Sequence, residues 1–202
     1  MEQKPTRVRI IDAAHRLMRT AGLARTTTKE IAKEAGCSEA ALYKYFPSKE
    51  DLFVTVLNER LPQLGGLLGT LVTDPGGRGV EENLTEIARQ AALFYEQTFP
   101  IVASLYAEPS LKRRHDDILR ELGVGPHRPI EGVAAYLRAE QQHGRVGPAA
   151  DPLAAASLLL GACAQRAFAW EMTADGRPPQ DVDTFAASVA RTLMAGIAIE
   201  RP

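Results

Sequence analysis

The segment Thr27-Thr28-Lys29-Glu30-Ile31-Ala32-Lys33-Glu34-Ala35-Gly36-Cys37-Ser38-Glu39-Ala40-Ala41-Leu42-Tyr43-Lys44-Tyr45-Phe46 reads as two short helices joined by a tight turn. Thr27 and Glu30 have the spacing of a capping box, in which the threonine hydroxyl accepts from an amide three residues on and the glutamate reaches back. Ile31, Ala32 and Ala35 carry the first helix, and Gly36 closes it. Ser38 caps a second helix with Ala41, Leu42 and Tyr45 on its apolar side. A glycine-containing turn that sets one short helix across another is the helix-turn-helix arrangement. Cys37 supplies the small packing residue after the glycine, and Ala32, Ala35 and Leu42 pack the two helices together. Glu39, Ala40, Tyr43 and Lys44 stay on the outer face of the second helix. In DNA-binding versions its N-terminal residues meet base edges in the major groove.

The flanking chain is also helical. Ile10, Ala14, Leu17 and Ala21 mark one stripe on a preceding helix that stops at Gly22. Ser48, with Asp51 three residues on, caps a fourth helix running through Leu52, Val56 and Leu57 to about Leu61, where Pro62 ends or kinks it. Asp74-Pro75-Gly76-Gly77-Arg78-Gly79 is the strongest breaker cluster in the chain. Beyond it Leu84, Ile87, Ala88, Ala91, Phe94, Tyr95 and Thr98 predict a helix ended by Pro100, with shorter pieces over 101–107 and 110–122. Ile130, Val133, Ala134 and Leu137 mark another, running toward Gly144. Leu153 to Trp170 is apolar on nearly every side and is expected to be buried on more than one face. Val182, Phe185, Val189, Leu193 and Ile197 form a last amphipathic helix. No alternating strand pattern is visible, so the expected fold class is all-α. It divides into a three-helix helix-turn-helix head at 1–50, a fourth helix at about 48–61 linking head to body, and a helical effector-binding and dimerisation domain at 62–202.

Composition narrows the function classes. The chain has 202 residues, 45% hydrophobic and 24% charged, with a formal net charge of −1. Those are ordinary values for a packed globular chain. The near-neutral sum is misleading. Residues 1–49 hold ten Lys/Arg and five Asp/Glu, a net +5, which leaves 14 basic and 20 acidic groups, a net −6, for the rest. A basic head on an acidic body is a partner signal. The apolar run Leu153–Ala164 is too short to cross a bilayer, and Met1–Thr20 has no apolar core of a secretory signal. A cytoplasmic location and no membrane partner are therefore expected. Cys37 and Cys163 make neither a disulfide framework nor a metal set, and His15, His115, His127 and His143 show no ligand spacing. No nucleophile–base set or Gly-rich phosphate loop can be quoted. The expectation is a non-enzyme with no cofactor and no metal.

Across residues 7–57 the chain resembles the tetracycline-repressor (TetR) family. The resemblance lies in Gly22-x-x-x-Thr26-Thr27, then Ile31-Ala32-x-x-Ala35-Gly36-Cys37-Ser38-x-Ala40-Ala41-Leu42-Tyr43-x-Tyr45-Phe46-x-Ser48-Lys49-Glu50-x-Leu52. The family usually has an aliphatic residue at the Cys37 position, often Gly-Thr at Ala40-Ala41, and His or Tyr at Tyr45. Farther on, Tyr136-Leu137-Arg138-Ala139-Glu140, Gly144-Arg145-Val146 and Asp151-Pro152-Leu153-Ala154-Ala155-Ala156 are similar to its C-terminal effector domains, more loosely. The resemblance implies a ligand-responsive regulator, a repressor that binds a palindromic operator on double-stranded DNA as a homodimer and is released by a small-molecule effector. A same-fold DNA-binding protein controlled by a protein partner, or acting as a chromosome factor, is the alternative.

The expected DNA-binding residues are Thr27, Thr28, Ser38, Glu39, Ala40, Tyr43, Lys44 and Lys49. Lys49 opens the fourth helix, where free amides and the helix dipole favour a phosphate. The resemblance sets Tyr43 against a phosphate. Lys44 reaches a phosphate or a guanine edge, and Glu39 either accepts from a cytosine amino group or simply favours the helix dipole. Thr27 caps its helix, and Thr28 adds phosphate contacts. For an apolar effector the expected contacts are Phe99, Tyr106 and Trp170, although aromatics at helical spacing also serve as core. The last two long helices, doubled by symmetry, are the expected dimer surface.

Overall fold

A computed structural model describes the chain except residues 1–3, 23–24, 61–63, 74–76, 107–108, 122, 124, 126, 172–179 and 198–202. The described residues form ten α-helices and no strand. They fall into two compact units, residues 1–61 with 97–124, and residues 62–96 with 125–202. A cut at residue 62 therefore separates the chain only as far as Glu96, because the stretch 97–124 returns to the first unit.

The first unit contains α1 (Thr6–Ala21), α2 (Thr28–Glu34), α3 (Glu39–Tyr45), α4 (Lys49–Arg60) and α7 (Pro109–Glu121). Ile10, Ile11, Ala13, Ala14 and Met18 of α1 form its floor, with Ile31, Ala32, Ala35, Leu42, Phe46, Leu52, Phe53 and Val56 packed over them. Ala21 is exposed and Leu17 half-buried, so the buried stripe of α1 runs one residue to the side of the expected one. Tyr45 is likewise exposed; the chain turns extended at Phe46, and that ring enters the core instead. α4 is buried through Leu52, Phe53, Val54 and Val56 because α1 and α7 flank it. A bidentate Arg7–Glu59 pair, at 2.6 and 3.1 Å, ties the start of α1 to the end of α4.

The second unit holds α5 (Leu64–Thr73), the Val80–Glu96 part of α6 (Val80–Tyr106), α8 (His127–Gln142), α9 (Pro152–Glu171) and α10 (Val182–Ile197). α8 packs on α5 and α9, and α9 on α10. The spacing did not announce α5, whose Gly65, Gly66 and Gly69 lower helix propensity. It forms because Leu68 and Leu71 are buried in the core. Gly132 on α8 lets Leu68 in, since a Cβ there would lie 3.0 Å from the leucine Cδ1. α6 does not stop at Pro100 as expected but continues to Tyr106. A proline inside a helix forfeits one intrahelical hydrogen bond. Extending a helix already anchored by Leu84, Ile87, Ala88, Ala91 and Ala92 costs less than starting a new one.

The α9 window Pro152–Ala169 is long and apolar enough, by length and composition alone, to cross a membrane, a property that a core helix shares. The helix is not buried all round. Ala155, Ala156, Leu159, Leu160, Cys163 and Ala167 face the core, whereas Leu153, Leu158 and Phe168 are 49, 67 and 49% exposed.

Candidate nucleic-acid interface

The turn between α2 and α3 is built as its sequence dictates. Thr27 Oγ1 accepts from the Glu30 amide at 3.2 Å, and the Thr27 amide and hydroxyl donate to Glu30 Oε2 at 2.9 and 2.8 Å. Gly36 sits at φ +65°, a left-handed conformation that glycine adopts without a Cβ penalty. Its neighbour Cys37 is half-buried against the core, and the Cys37 amide donates to the Ala32 carbonyl at 2.9 Å. Ser38 Oγ accepts from the Ala41 amide at 3.1 Å and opens α3. With Leu42 directed into the core, Glu39, Ala40, Tyr43 and Lys44 are exposed on the other side.

Three of the expected residues meet in one polar cluster. The Thr28 hydroxyl donates to Glu39 Oε1 at 2.5 Å, and Thr28 Oγ1 lies 3.3 Å from the Tyr43 hydroxyl. The N-terminus of α2 therefore adjoins the outer face of α3. Arg25 and Lys29, both exposed beside Thr27 and Thr28, thereby flank that face; the charge count signalled them, but spacing gave them no role. At the start of α4, the Asp51 amide donates to Ser48 Oγ at 3.0 Å and the Ser48 hydroxyl donates to Asp51 Oδ2 at 2.6 Å. Lys49 is half-buried on that first turn. The Glu30 carboxyl is held below the usual carboxylate range, first by the Thr27 hydrogen bonds and in smaller part by the Lys49 ammonium. Lys49 thus acts on the capping-box carboxyl from the first turn of α4. An exposed short helix with acceptor and cationic side chains, bordered by two helix N-termini, can meet base edges and phosphates together.

In the second unit, the outer sides of α9 and α10 border an open groove of about 760 Å³, lined by Ala154, Leu158, Leu159, Ala162, Phe185 and Val189 among others.

Residues 10–56 match the family model for bacterial regulatory proteins of the tetR family. Over 141 residues, 70% of either chain, the sequence is 40% identical to the uncharacterized helix-turn-helix-type transcriptional regulator YvkB of Bacillus subtilis (strain 168). The chain belongs to the tetR family. Solved structures carry the likeness across both units. GusR of Salmonella enterica superposes with a TM-score of 0.68 at 25% identity, covering 98% of this chain and 97% of that one. The regulator FadR of Bacillus subtilis, solved in complex with stearoyl-CoA, superposes with a TM-score of 0.67 at 20% identity, covering 94% and 98%.

This tetR-family chain is thus a DNA-binding transcriptional regulator. Of its three expected effector contacts, Phe99 is half-buried on α6, while the side chains of Tyr106 and Trp170 lie outside the described residues. Periodicity missed a polar group inside the regulator's second unit. Arg166 Nε donates to Glu96 Oε1 at 2.9 Å, the two side chains only 5 and 11% exposed. The guanidinium also stacks 4.9 Å over the Phe185 ring. Burial pushes the Glu96 carboxyl up, more than Arg166 pulls it down. Beside it, the Cys163 thiol donates to the Ala88 carbonyl at 3.4 Å and is pushed up by burial to about 12.

Proposed function

We propose that the protein is a ligand-responsive repressor that binds a palindromic operator as a homodimer in the cytoplasm and is released by a small-molecule effector. The reading is carried by the outer face of α3, where Glu39, Ala40, Tyr43 and Lys44 stand exposed beside the α2 and α4 N-termini. One such helix reads only a few base pairs, so useful specificity needs two heads related by a two-fold axis. The apolar α9–α10 groove, with Leu158 at 67% exposure, supports self-association through that face. Lys49 and the amides at the α2 N-terminus around Thr28 hold the phosphate backbone, with Thr27 as the cap of that helix and the Tyr43 ring beside it. Ser38, Glu39, Ala40 and Lys44 stand nearest the bases. The acidic body keeps non-specific adhesion to DNA low, while the basic head supplies the local attraction.

FadR carries stearoyl-CoA, so a long-chain acyl thioester is the first effector to try. A ligand that favours the non-operator geometry by about 1–3 kcal/mol weakens operator binding roughly 5- to 150-fold. The test is selection of bound DNA from a random pool by the purified protein, followed by titration of the selected duplex with stearoyl-CoA. A palindrome and a ligand-dependent fall in affinity are expected. A selected site without two-fold symmetry overturns the dimer model, and unchanged affinity removes this effector class.

A further inference from the structure

We infer that Glu39 is the residue that sets base identity at one position of each operator half-site, selecting cytosine, and that Thr28 is its positioning residue. This rests on the DNA-binding reading above and adds to it which base is chosen and how.

The hydrogen-bond chemistry fixes the direction of the cluster. An ionised carboxylate only accepts, and a threonine hydroxyl has a single hydrogen to give. At 2.5 Å that hydrogen belongs to Glu39 Oε1. The Tyr43 hydroxyl, 3.3 Å away, must then be the donor to Thr28 Oγ1. The result is a one-way chain, Tyr43 to Thr28 to Glu39, in which each donor polarises the next. It runs from α3 to α2 and back to α3. A glutamate side chain on an exposed helix surface normally samples several rotamers, at an entropic cost to any contact that freezes it. Here one oxygen is tethered to the neighbouring helix before any partner arrives. The other oxygen and the remaining lone pairs stay available on the exposed face.

Those free lone pairs can take only a donor. In the major groove guanine shows two acceptors, and thymine shows an acceptor and a methyl group. Both would set an uncompensated carboxylate against oxygen, nitrogen or carbon. Cytosine offers its N4 amino group as a lone donor, the natural partner for a glutamate. Adenine pairs its N6 donor with the N7 acceptor, which suits an amide side chain better. The carboxylate also works by exclusion. It is a negative charge on a face that must approach phosphates, so it penalises every duplex that fails to offer the amino group there. Favouring the helix dipole from the first turn of α3 does not require the Thr28 tether, because the dipole attracts a carboxylate in any rotamer.

The test is random-pool DNA selection by the full-length protein, its E39Q variant and its T28V variant, with the thermal unfolding midpoint of each measured alongside. The wild type should enrich cytosine at one symmetric position. E39Q should keep the rest of the site and move that position toward adenine. T28V, which keeps side-chain volume but loses the hydroxyl, should keep cytosine while its preference over the other bases falls about tenfold. An E39Q pool with the wild-type consensus overturns the assignment of Glu39, whatever its stability. A T28V pool as selective as the wild type overturns the positioning role. A wild-type pool with no enriched sequence removes the DNA-binding reading itself and the inference with it.

Discussion

Lys49 is the residue at which the proposed phosphate contact is most directly tested. It stands on the first turn of α4, next to the capping Ser48, and helps depress the Glu30 carboxyl. A cation at a helix N-terminus is unfavourable to the dipole, and the proposed role is that a phosphate offsets this. Lys49→Ala is therefore expected to weaken binding about equally on all duplexes and to reduce the slope of log affinity against log salt by about one. Fluorescence anisotropy at several salt concentrations measures this, and an unchanged slope removes the phosphate role. The caps at Thr27, Ser38 and Ser48 were legible in the sequence because a cap bonds only to its own next turn. The Thr28–Glu39 bond was not. Its partners are eleven positions apart, and their meeting depends on how α2 crosses α3.

Among the helices, α7 shows what a local reading misses. It packs on α4, with His115 5.6 Å from the Phe53 ring and 3.6 Å from Asp116. Burial lowers the imidazole below its ordinary pKa, outweighing Asp116, and the Lys112 ammonium on the same helix adds to the shift. Nearby Arg114 pairs with Asp51 of α4 at 3.4 Å, so that carboxylate is already engaged. A depressed histidine binds its proton more readily when unfolded, so its contribution is full above about pH 6.5 and lost as pH falls through that value. Asp116 is also depressed and acts only at lower pH. The unfolding midpoint should therefore drop between pH 7.5 and 5.5, and His115→Phe should flatten that drop; equal slopes for both proteins would exclude His115 as the cause. Helix identity was readable wherever one face was buried, as in α1, α2 and α8. It failed at α5, where glycines hide a helix made by packing, and at Pro100, where continuing an anchored helix outweighs one missing N–H.

For the whole molecule, the proposed dimer rests on the α9–α10 groove. Leu158 is more exposed than any other large apolar side chain in the described fold. Leu158→Glu should leave the monomer's stability nearly unchanged, convert the dimer to monomer in sedimentation velocity, and lower operator affinity at least tenfold by uncoupling the two half-sites. A variant that remains dimeric would place the dimer contact elsewhere. The all-α class and the head were legible from one turn and its caps. The return of residues 97–124 to the first unit was not, since it depends on tertiary contacts with no local signature. The two thiols divide between the units in a useful way. Cys37 is half-buried in the first unit, while Cys163 is enclosed in the second with its proton held to about 12. Cys37 is therefore the more accessible thiol to a maleimide, and Cys163 is withheld until the second core opens. The rate at which a second label is taken up reads the opening of that core, and a dye on Cys37 reports from beside the recognition turn, with no engineered cysteine.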